Sequence, residues 1–288
     1  MNRTSEPSSN RSCGRDDSVN LRLTQQLFTM EIRKAFAYRT DFWLSFAVST
    51  LAQFAVAWYL WKSIFTYTGK TTIGAFTFSS LMFYYLLAPV IARTVYSGNF
   101  GDIASEIYQG TLTRYLIYPV SFFRYKLIVH CANATILLTQ LLMIIAVVKL
   151  FIPSLLSSYH MSPFHIVQGI VTTLAAAVLY FIFSSWLQLI AFWADQVWSL
   201  TAIIRFIIGL LGGSLLPIAL FPESMQPVLK VLPFSYFAHF PLQCFLGNIS
   251  PAEWITGMGM MTLWSMLFCG VYAIVWHRGN LSYTGVGI

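Results

Sequence analysis

Long runs of apolar residues constrain the fold of this chain more than any other feature. Uncharged apolar runs lie at residues 42–61, 73–92, 127–148, 166–194 and 254–276, and each reaches the roughly 20 residues that a helix needs to cross a bilayer. One run, at residues 197–219, contains Arg205, and we interpret it as a span whose charge lies near the membrane surface. The predicted spans are residues 42–64, 73–96, 124–151, 165–194, 197–219 and 252–277. The sequence therefore predicts an all-α polytopic membrane protein with six transmembrane helices.

The composition agrees with this class. Charged residues make up 9% of the chain and hydrophobic residues 57%, whereas soluble domains carry about 25% charged residues. The net charge of +7 does not indicate nucleic-acid binding, because the Lys and Arg residues flank apolar runs and form no basic groove interleaved with aromatic residues.

Lys and Arg positions also predict the orientation. With both termini inside, four of the 17 Lys and Arg residues lie outside, namely Lys62, Lys70, Lys149 and Lys230. The remaining thirteen lie on the cytoplasmic side, as the positive-inside rule requires. We therefore expect cytoplasmic termini.

The N-terminal region divides into two parts. Residues 1–18 are rich in Ser, Asn and Arg and are predicted to form a disordered tail. Residues 19–40 are amphipathic and basic, which favours an interfacial helix on the cytoplasmic leaflet. A soluble helix packed on a partner is the alternative. Residues 41–288 would then form the membrane domain.

A short charged island follows the second predicted span, at residues 99–110. Phe100, Ile103 and Ile107 share one helical face, while Asp102 and Glu106 lie four residues apart on the other. The eleven residues from Phe100 to Gly110 rise only about 16 Å, so this helix cannot span. The pattern predicts an amphipathic helix held at the membrane surface.

The signals that follow this helix predict where it stops. Gly110 is a plausible C-terminal cap, Arg114 adds a positive charge just beyond it, and Pro119 forbids a helix that continues through the second half of the segment.

Two further features lie near the last span. Residues 221–247 are apolar but contain four prolines, which predicts short half-helices that enter the outer leaflet and return. Upstream, Gly209 and Gly213 form a small-xxx-small pair that permits close helix packing.

The side chain of Arg205 either faces a conduit for an anionic substrate or extends to the cytoplasmic headgroups, and we favour the second.

No motif for catalysis or for a cofactor accompanies these features. The chain contains no phosphate-binding P-loop, no G-x-S-x-G elbow and no H-E-x-x-H pair, and its four cysteines are scattered. We expect no enzyme activity, cofactor or metal site in this chain.

Two stretches of local sequence follow a recognisable pattern. The run EIYQGTLTRYLIYPVSFFRYKL, at residues 106–127, is similar to the Glu-Ile-x-x-Gly-x-Leu…Pro-Val-Ser segment that follows the second span in the permease subunits of bacterial type-2 ABC exporters, a family that this chain resembles. The run ALFPESMQPVLKVLPFSYFAHFPLQCFLG, at residues 219–247, is similar to the Phe-Pro…Leu-Pro-Phe…Pro stretch before the last span.

The resemblance implies a bacterial inner-membrane protein that pairs with itself or a sister permease. It further implies that the chain docks two copies of a separate ATPase, which hold the ATP and Mg²⁺. Residues 99–110 would be the coupling helix, with Asp102 and Glu106 facing solvent or the ATPase and with Phe100, Ile103 and Ile107 against the membrane helices.

Two other classes compete with this interpretation. An ATP-independent channel or secondary transporter usually carries an intramembrane acid, and here only Asp195 stands at the end of a span. An intramembrane enzyme needs clustered Asp, His or Cys at the membrane surface, and this chain has isolated ones.

Overall fold

The computed structural model describes residues 13–37, 39–74, 76–98, 101–116, 120–151, 162–194 and 197–283. Phe100, Pro119 and Asp195, which entered the sequence predictions, lie outside the described residues. The α-helices are Cys13–Ala37 (α1), Arg39–Thr68 (α2), Phe78–Val95 (α3), Asp102–Tyr108 (α4), Leu112–Leu116 (α5), Phe122–Phe151 (α6), Pro163–Gln188 (α7), Trp198–Leu211 (α8), Gln226–Val231 (α9), His239–Leu246 (α10) and Pro251–Ser282 (α11). Two short strands, Thr72–Ile73 (β1) and Phe76–Thr77 (β2), pair antiparallel between α2 and α3.

Five helical segments of the described chain are long and apolar enough to cross a membrane. They lie in α2, α3, α6, α7 with its short extension, and α11. The second of these begins at Phe78 rather than at the predicted residue 73, because the β-hairpin occupies the preceding residues and Thr77 caps α3 by accepting from the Ser80 N–H. The all-α polytopic class is confirmed.

The predicted fifth span, residues 197–219, is not one continuous helix. Its helical part is α8, whose 14 residues rise only about 21 Å and fall short of a bilayer's hydrocarbon core. Gly212 caps the helix and Gly213 adopts a left-handed φ of 85°, which turns the chain away from the helix axis. No helix of spanning length in the described residues therefore matches this predicted span, because the glycine pair ends α8 early.

The chain from residue 218 to residue 247 is broken into short pieces. Two 3-10 turns, Ile218–Leu220 and Pro233–Tyr236, alternate with α9 and α10. Pro227 and Pro233 each fall in the first turn of a short helix, where a missing N–H costs nothing. The predicted absence of a straight spanning helix here is confirmed.

The N-terminal helix begins earlier than expected. Residues 13–18, placed in the predicted tail, form the first turns of α1, and residues 1–12 lie outside the described chain. Helix α1 packs along α6, which places one side of this helix against the membrane domain of its own chain.

Helix α7 lies at the centre of the bundle and contacts α3, α6, α10 and α11. Its C-terminal half is almost continuously buried, with Leu179 and Ser185 fully enclosed. Helices α2 and α11, in contrast, expose most of their apolar residues. A fully apolar exposed helix surface is stable next to lipid or next to another membrane helix, but not in water.

Candidate functional site

The predicted short helix exists as α4, which begins after Gly101 and contains seven residues. Gly101 adopts a φ of 122°, a conformation that favours glycine. The helix ends as predicted: Gly110 lies just beyond the C-cap with a left-handed φ of 69°, and its N–H donates to the Ile107 carbonyl at 3.2 Å. This is the glycine termination that the sequence predicted.

The apolar face of α4 is buried in a small cluster separate from the main core. Ile103, Ala104 and Ile107 are at most 5% exposed. Their neighbours come from α5, α6, the turn after α7, and α11; they are Leu112, Tyr115, Phe122, Leu189, Ala191, Val197 and Tyr272. The burial of Ile103 and Ile107 agrees with the face predicted from their spacing.

Glu106 does not face solvent, contrary to the expectation for this charge. Its Oε1 accepts from Lys126 Nζ at 2.7 Å and from the Tyr115 hydroxyl at 2.9 Å, and both charged side chains are only 16% exposed. The reason is that Lys126, one turn into α6, offers a cation in a poorly hydrated site where an unpaired carboxylate would be costly. The ion pair fixes α4 to α6.

Asp102 remains exposed at the first residue of α4. Gln109 and Arg114 are exposed beyond the end of the helix. Arg114 lies over the ring of Tyr115, with Cζ 5.2 Å from the centroid. Together these residues leave one side of α4 and α5 open to a partner or to solvent.

Sequence reasoning missed the most connected residue of the site, Gln188 at the end of α7. Its Oε1 accepts from the Gly101 N–H at 2.9 Å and from the Ile103 N–H at 3.0 Å. Its Nε2 donates to the Ser184 carbonyl at 3.2 Å. In the sequence, Gln188 stands out only as an amide side chain near the end of an apolar run.

Tyrosines complete the contacts of this segment. The Tyr108 hydroxyl donates to the Ala194 carbonyl at 3.0 Å, which fixes the end of α4 to the chain that follows α7. Burial, and next the hydrogen bond to Glu106, raise the pKa of Tyr115 to about 12. Tyr115 therefore stays a neutral donor over the physiological pH range.

A polar cavity of about 190 Å³ lies beside the first turn of α4. Ser97 and Asp102 line it near α4, and His130, Ser184 and Gln188 line it from α6 and α7. The Ser97 hydroxyl donates to the His130 carbonyl at 3.0 Å. The cavity separates part of α4 from the bundle, and its polar walls suit water.

The proposed pathway or packing residues lie elsewhere, in and after α8. Arg205 is exposed on α8. Gly209 is buried, and a Cβ there would lie 3.0 Å from the Leu215 side chain; a Cβ at Gly213 would lie 3.1 Å from the Tyr84 hydroxyl. Both glycines therefore permit close packing within this chain.

Comparison with protein families decides the class. A family model described as an ABC-2 family transporter protein matches residues 51–287. The chain belongs to the ABC-2 transporter family. Searches of curated proteins and of solved structures found no match to this chain. The resemblance seen in the sequence is thus confirmed, and this ABC-2 permease is a multi-pass membrane protein of a transporter.

The ABC-2 permease also contains a larger cleft, of about 700 Å³, between α2 and α3. Its walls are mostly apolar and include Val56 and Leu60. The polar lining residues include Gln53, Arg93, Ser49, Thr50 and Ser214. Arg93 donates to the Ser49 hydroxyl at 3.0 Å. Among the described residues, no group of three or more His, Cys, Asp and Glu side chains is arranged to hold a metal ion.

Proposed function

We propose that this chain is the membrane-spanning subunit of an ATP-driven exporter in the bacterial inner membrane. It forms the substrate pathway as a dimer, with itself or a sister permease, and both termini are cytoplasmic. It docks two copies of a separate ABC ATPase, and ATP and Mg²⁺ bind in those subunits. The permease is not catalytic by itself.

The structure of α4 carries this proposal. The helix is too short to span, yet hydrogen bonds and an ion pair bind it to α6 and α7. Its opposite side, around Asp102 and Gln109, is exposed. An element that is fixed to two membrane helices and open on its other side is suited to receive a push from a partner and to move the spans.

The exposed apolar surface of α2 supports a dimer. Leu44, Val48, Leu51 and Val56 are each 60–69% exposed, and they belong to the same helix that lines the large cleft. A second permease or lipid would cover this surface. The family supports the partnership with an ATPase, since the match is to a transporter family.

The test is site-specific photo-crosslinking in native membranes. A photoreactive residue replaces Gln109 at the end of α4 or, as the matched control, Glu223 in the broken segment before α11; both positions are exposed. We expect the Gln109 position to capture a protein with a P-loop ATPase domain and the Glu223 position to capture none. If no ATPase is captured at Gln109 while the variant supports normal membrane insertion, the proposal is refuted.

Orientation is tested on the same two positions. A cysteine introduced at Gln109 should react with a membrane-impermeant maleimide only after the cells are opened, and one at Glu223 should react in intact cells. The opposite result, or labelling of both from one side, would contradict the proposed orientation.

Asp102→Lys should also weaken capture of the ATPase at position 109. Glu106 substitutions are unsuitable for this test because they disturb the internal ion pair with Lys126.

A further inference from the structure

We infer that Gln188 is the positioning residue through which movement of α4 reaches α7, and that α7 carries this movement to α10. The inference rests on the proposed function, since it assumes that a partner pushes on α4. It concerns a contact between helices rather than a site for substrate.

The connection begins at the N-terminus of α4, which is capped by a side chain of another helix, α7. The residue before α4 is Gly101, which has no side chain to accept the unpaired N–H groups of the first turn. Gln188, 85 positions further along the chain, accepts from Ile103 in place of a local capping side chain, and it accepts from Gly101 as well. Gln188 is only 4% exposed, so its amide is held by these contacts and not by bulk solvent.

Helix α7 is the rigid element that carries the movement away from α4. Helix α7 runs without interruption for 26 residues, about 39 Å, with Gln188 as its last residue. The 3-10 turn Leu189–Phe192 follows directly and packs against α4. A continuous buried helix transmits a displacement at one end as a rotation or translation of the other, because packed interiors deform little.

At its other end, α7 touches the broken segment and the start of α11 through close contacts. A Cβ at Gly169 would lie 2.5 Å from the Phe245 ring, so this ring lies directly against the α7 backbone. The Thr172 hydroxyl accepts from Trp254 Nε1 at 2.8 Å and donates to the Gln168 carbonyl at 2.8 Å, while its oxygen lies 3.6 Å from Cys244 Sγ on α10. Movement of α7 therefore displaces α10 and the N-terminal part of α11 unless these contacts break.

The surroundings of α4 allow such movement. The 190 Å³ polar cavity beside the first turn leaves space that no side chain fills. The Glu106–Lys126 pair fixes the middle of α4 to α6, while Gln188 fixes its first turn to α7. A rotation of α4 about the ion pair would thus be delivered to α7 through the two hydrogen bonds of Gln188.

Two substitutions isolate the role of the acceptor oxygen. Gln188→Met keeps the length of the side chain and removes the acceptor, whereas Gln188→Glu keeps an acceptor that faces a helix N-terminus, where negative charge is favourable. Both lose the donation to the Ser184 carbonyl. Gln188→Glu also sets a carboxylate oxygen against that carbonyl, so a response retained in this variant is the more demanding result. If the Met variant fails to assemble, Gln188→Asn shortens the side chain and serves the same purpose.

The experiment uses the permease with its captured ATPase in lipid nanodiscs. Hydrogen exchange of α10 is compared without nucleotide and with ATP plus vanadate, and ATP hydrolysis is measured in parallel. We expect a nucleotide-dependent change of exchange in the wild type and in Gln188→Glu. In Gln188→Met we expect that change to fall by at least about tenfold, because both hydrogen bonds from α4 to the acceptor are lost, while ATP hydrolysis continues.

Each contrary result has a separate meaning. If Gln188→Met responds to nucleotide as the wild type does, or if Gln188→Glu loses the response to the same extent, the inference is overturned while the proposed function stands. A merely structural role would lower thermal stability, hydrolysis and response together in both variants, and this also overturns the inference. If the wild type captures no ATPase, the proposed function fails and the inference fails with it.

Discussion

Replacement of Lys126 by Met should loosen α4 by leaving the Glu106 carboxylate without its cation. In the wild type, one carboxylate oxygen accepts from both Lys126 and the Tyr115 hydroxyl, while the other oxygen is buried without a hydrogen-bond partner. The Met side chain fills a similar volume but supplies no charge and no donor. The carboxylate then depends on Tyr115 alone.

The magnitude follows from the burial of the pair. Removal of one partner from a fully buried ion pair costs about 3–5 kcal/mol, because the other charge is left uncompensated. Here both side chains keep 16% exposure, so water offsets part of the loss and we expect about 2–3 kcal/mol. Since 1.4 kcal/mol corresponds to a factor of ten, local opening of α4 should become about 30 to 150 times more frequent.

Hydrogen exchange of the α4 and α5 amides measures this opening directly. A matched control combines Lys126→Met with Glu106→Gln, which removes the unpaired charge and keeps an acceptor for Tyr115. We expect the double variant to cost only about 1 kcal/mol. Exchange of Lys126→Met within about threefold of the wild type, less than 1 kcal/mol, would refute the reasoning. So would a double variant that exchanges as fast as the single one.

Three further predictions concern stability. Gly169→Ala should lower stability by about 1–3 kcal/mol because its Cβ would overlap the buried Phe245 ring. Thermal unfolding in detergent measures this loss. The control Gly259→Ala, whose Cβ meets no atom within 4 Å, should show no such loss. Gly110→Ala should cost about 1 kcal/mol, visible as faster exchange in α4, because alanine disfavours the left-handed φ. Burial raises the pKa of Tyr115 to about 12. The contribution of this tyrosine to stability is therefore fully present below the ordinary pKa of 10 and is lost as the pH rises through 12. Alkaline unfolding should show this loss in the wild type and not in Tyr115→Phe.

The features that sequence predicted well are those encoded locally. Length and hydropathy of a run decide whether a helix can span, so five membrane helices could be found without any partner information. The end of α4 at Gly110 was likewise predictable, because a left-handed turn after a helix depends on one residue. The four prolines at residues 221–247 excluded a straight helix for the same reason.

The features that sequence missed depend on distant partners. Glu106 pairs with a lysine 20 positions away, and the cap of α4 comes from an amide 85 positions away. A helical periodicity identifies the face on which Glu106 lies but not what stands opposite it. The early end of α8 is different, because it depends on a local signal. The Gly212-Gly213 dipeptide ends the helix although the surrounding residues are apolar.

The two polar attachments of α4 must act together, because the helix is too short to be stable by itself. A seven-residue helix lies well below the length at which isolated helices persist in water, so its conformation depends on Gln188, Lys126 and the apolar contacts of Ile103 and Ile107. Opening of either attachment removes part of the support for the other. Loss of one attachment therefore weakens α4 as a whole, whereas a displacement that keeps both attachments is passed on to α6 and α7 together.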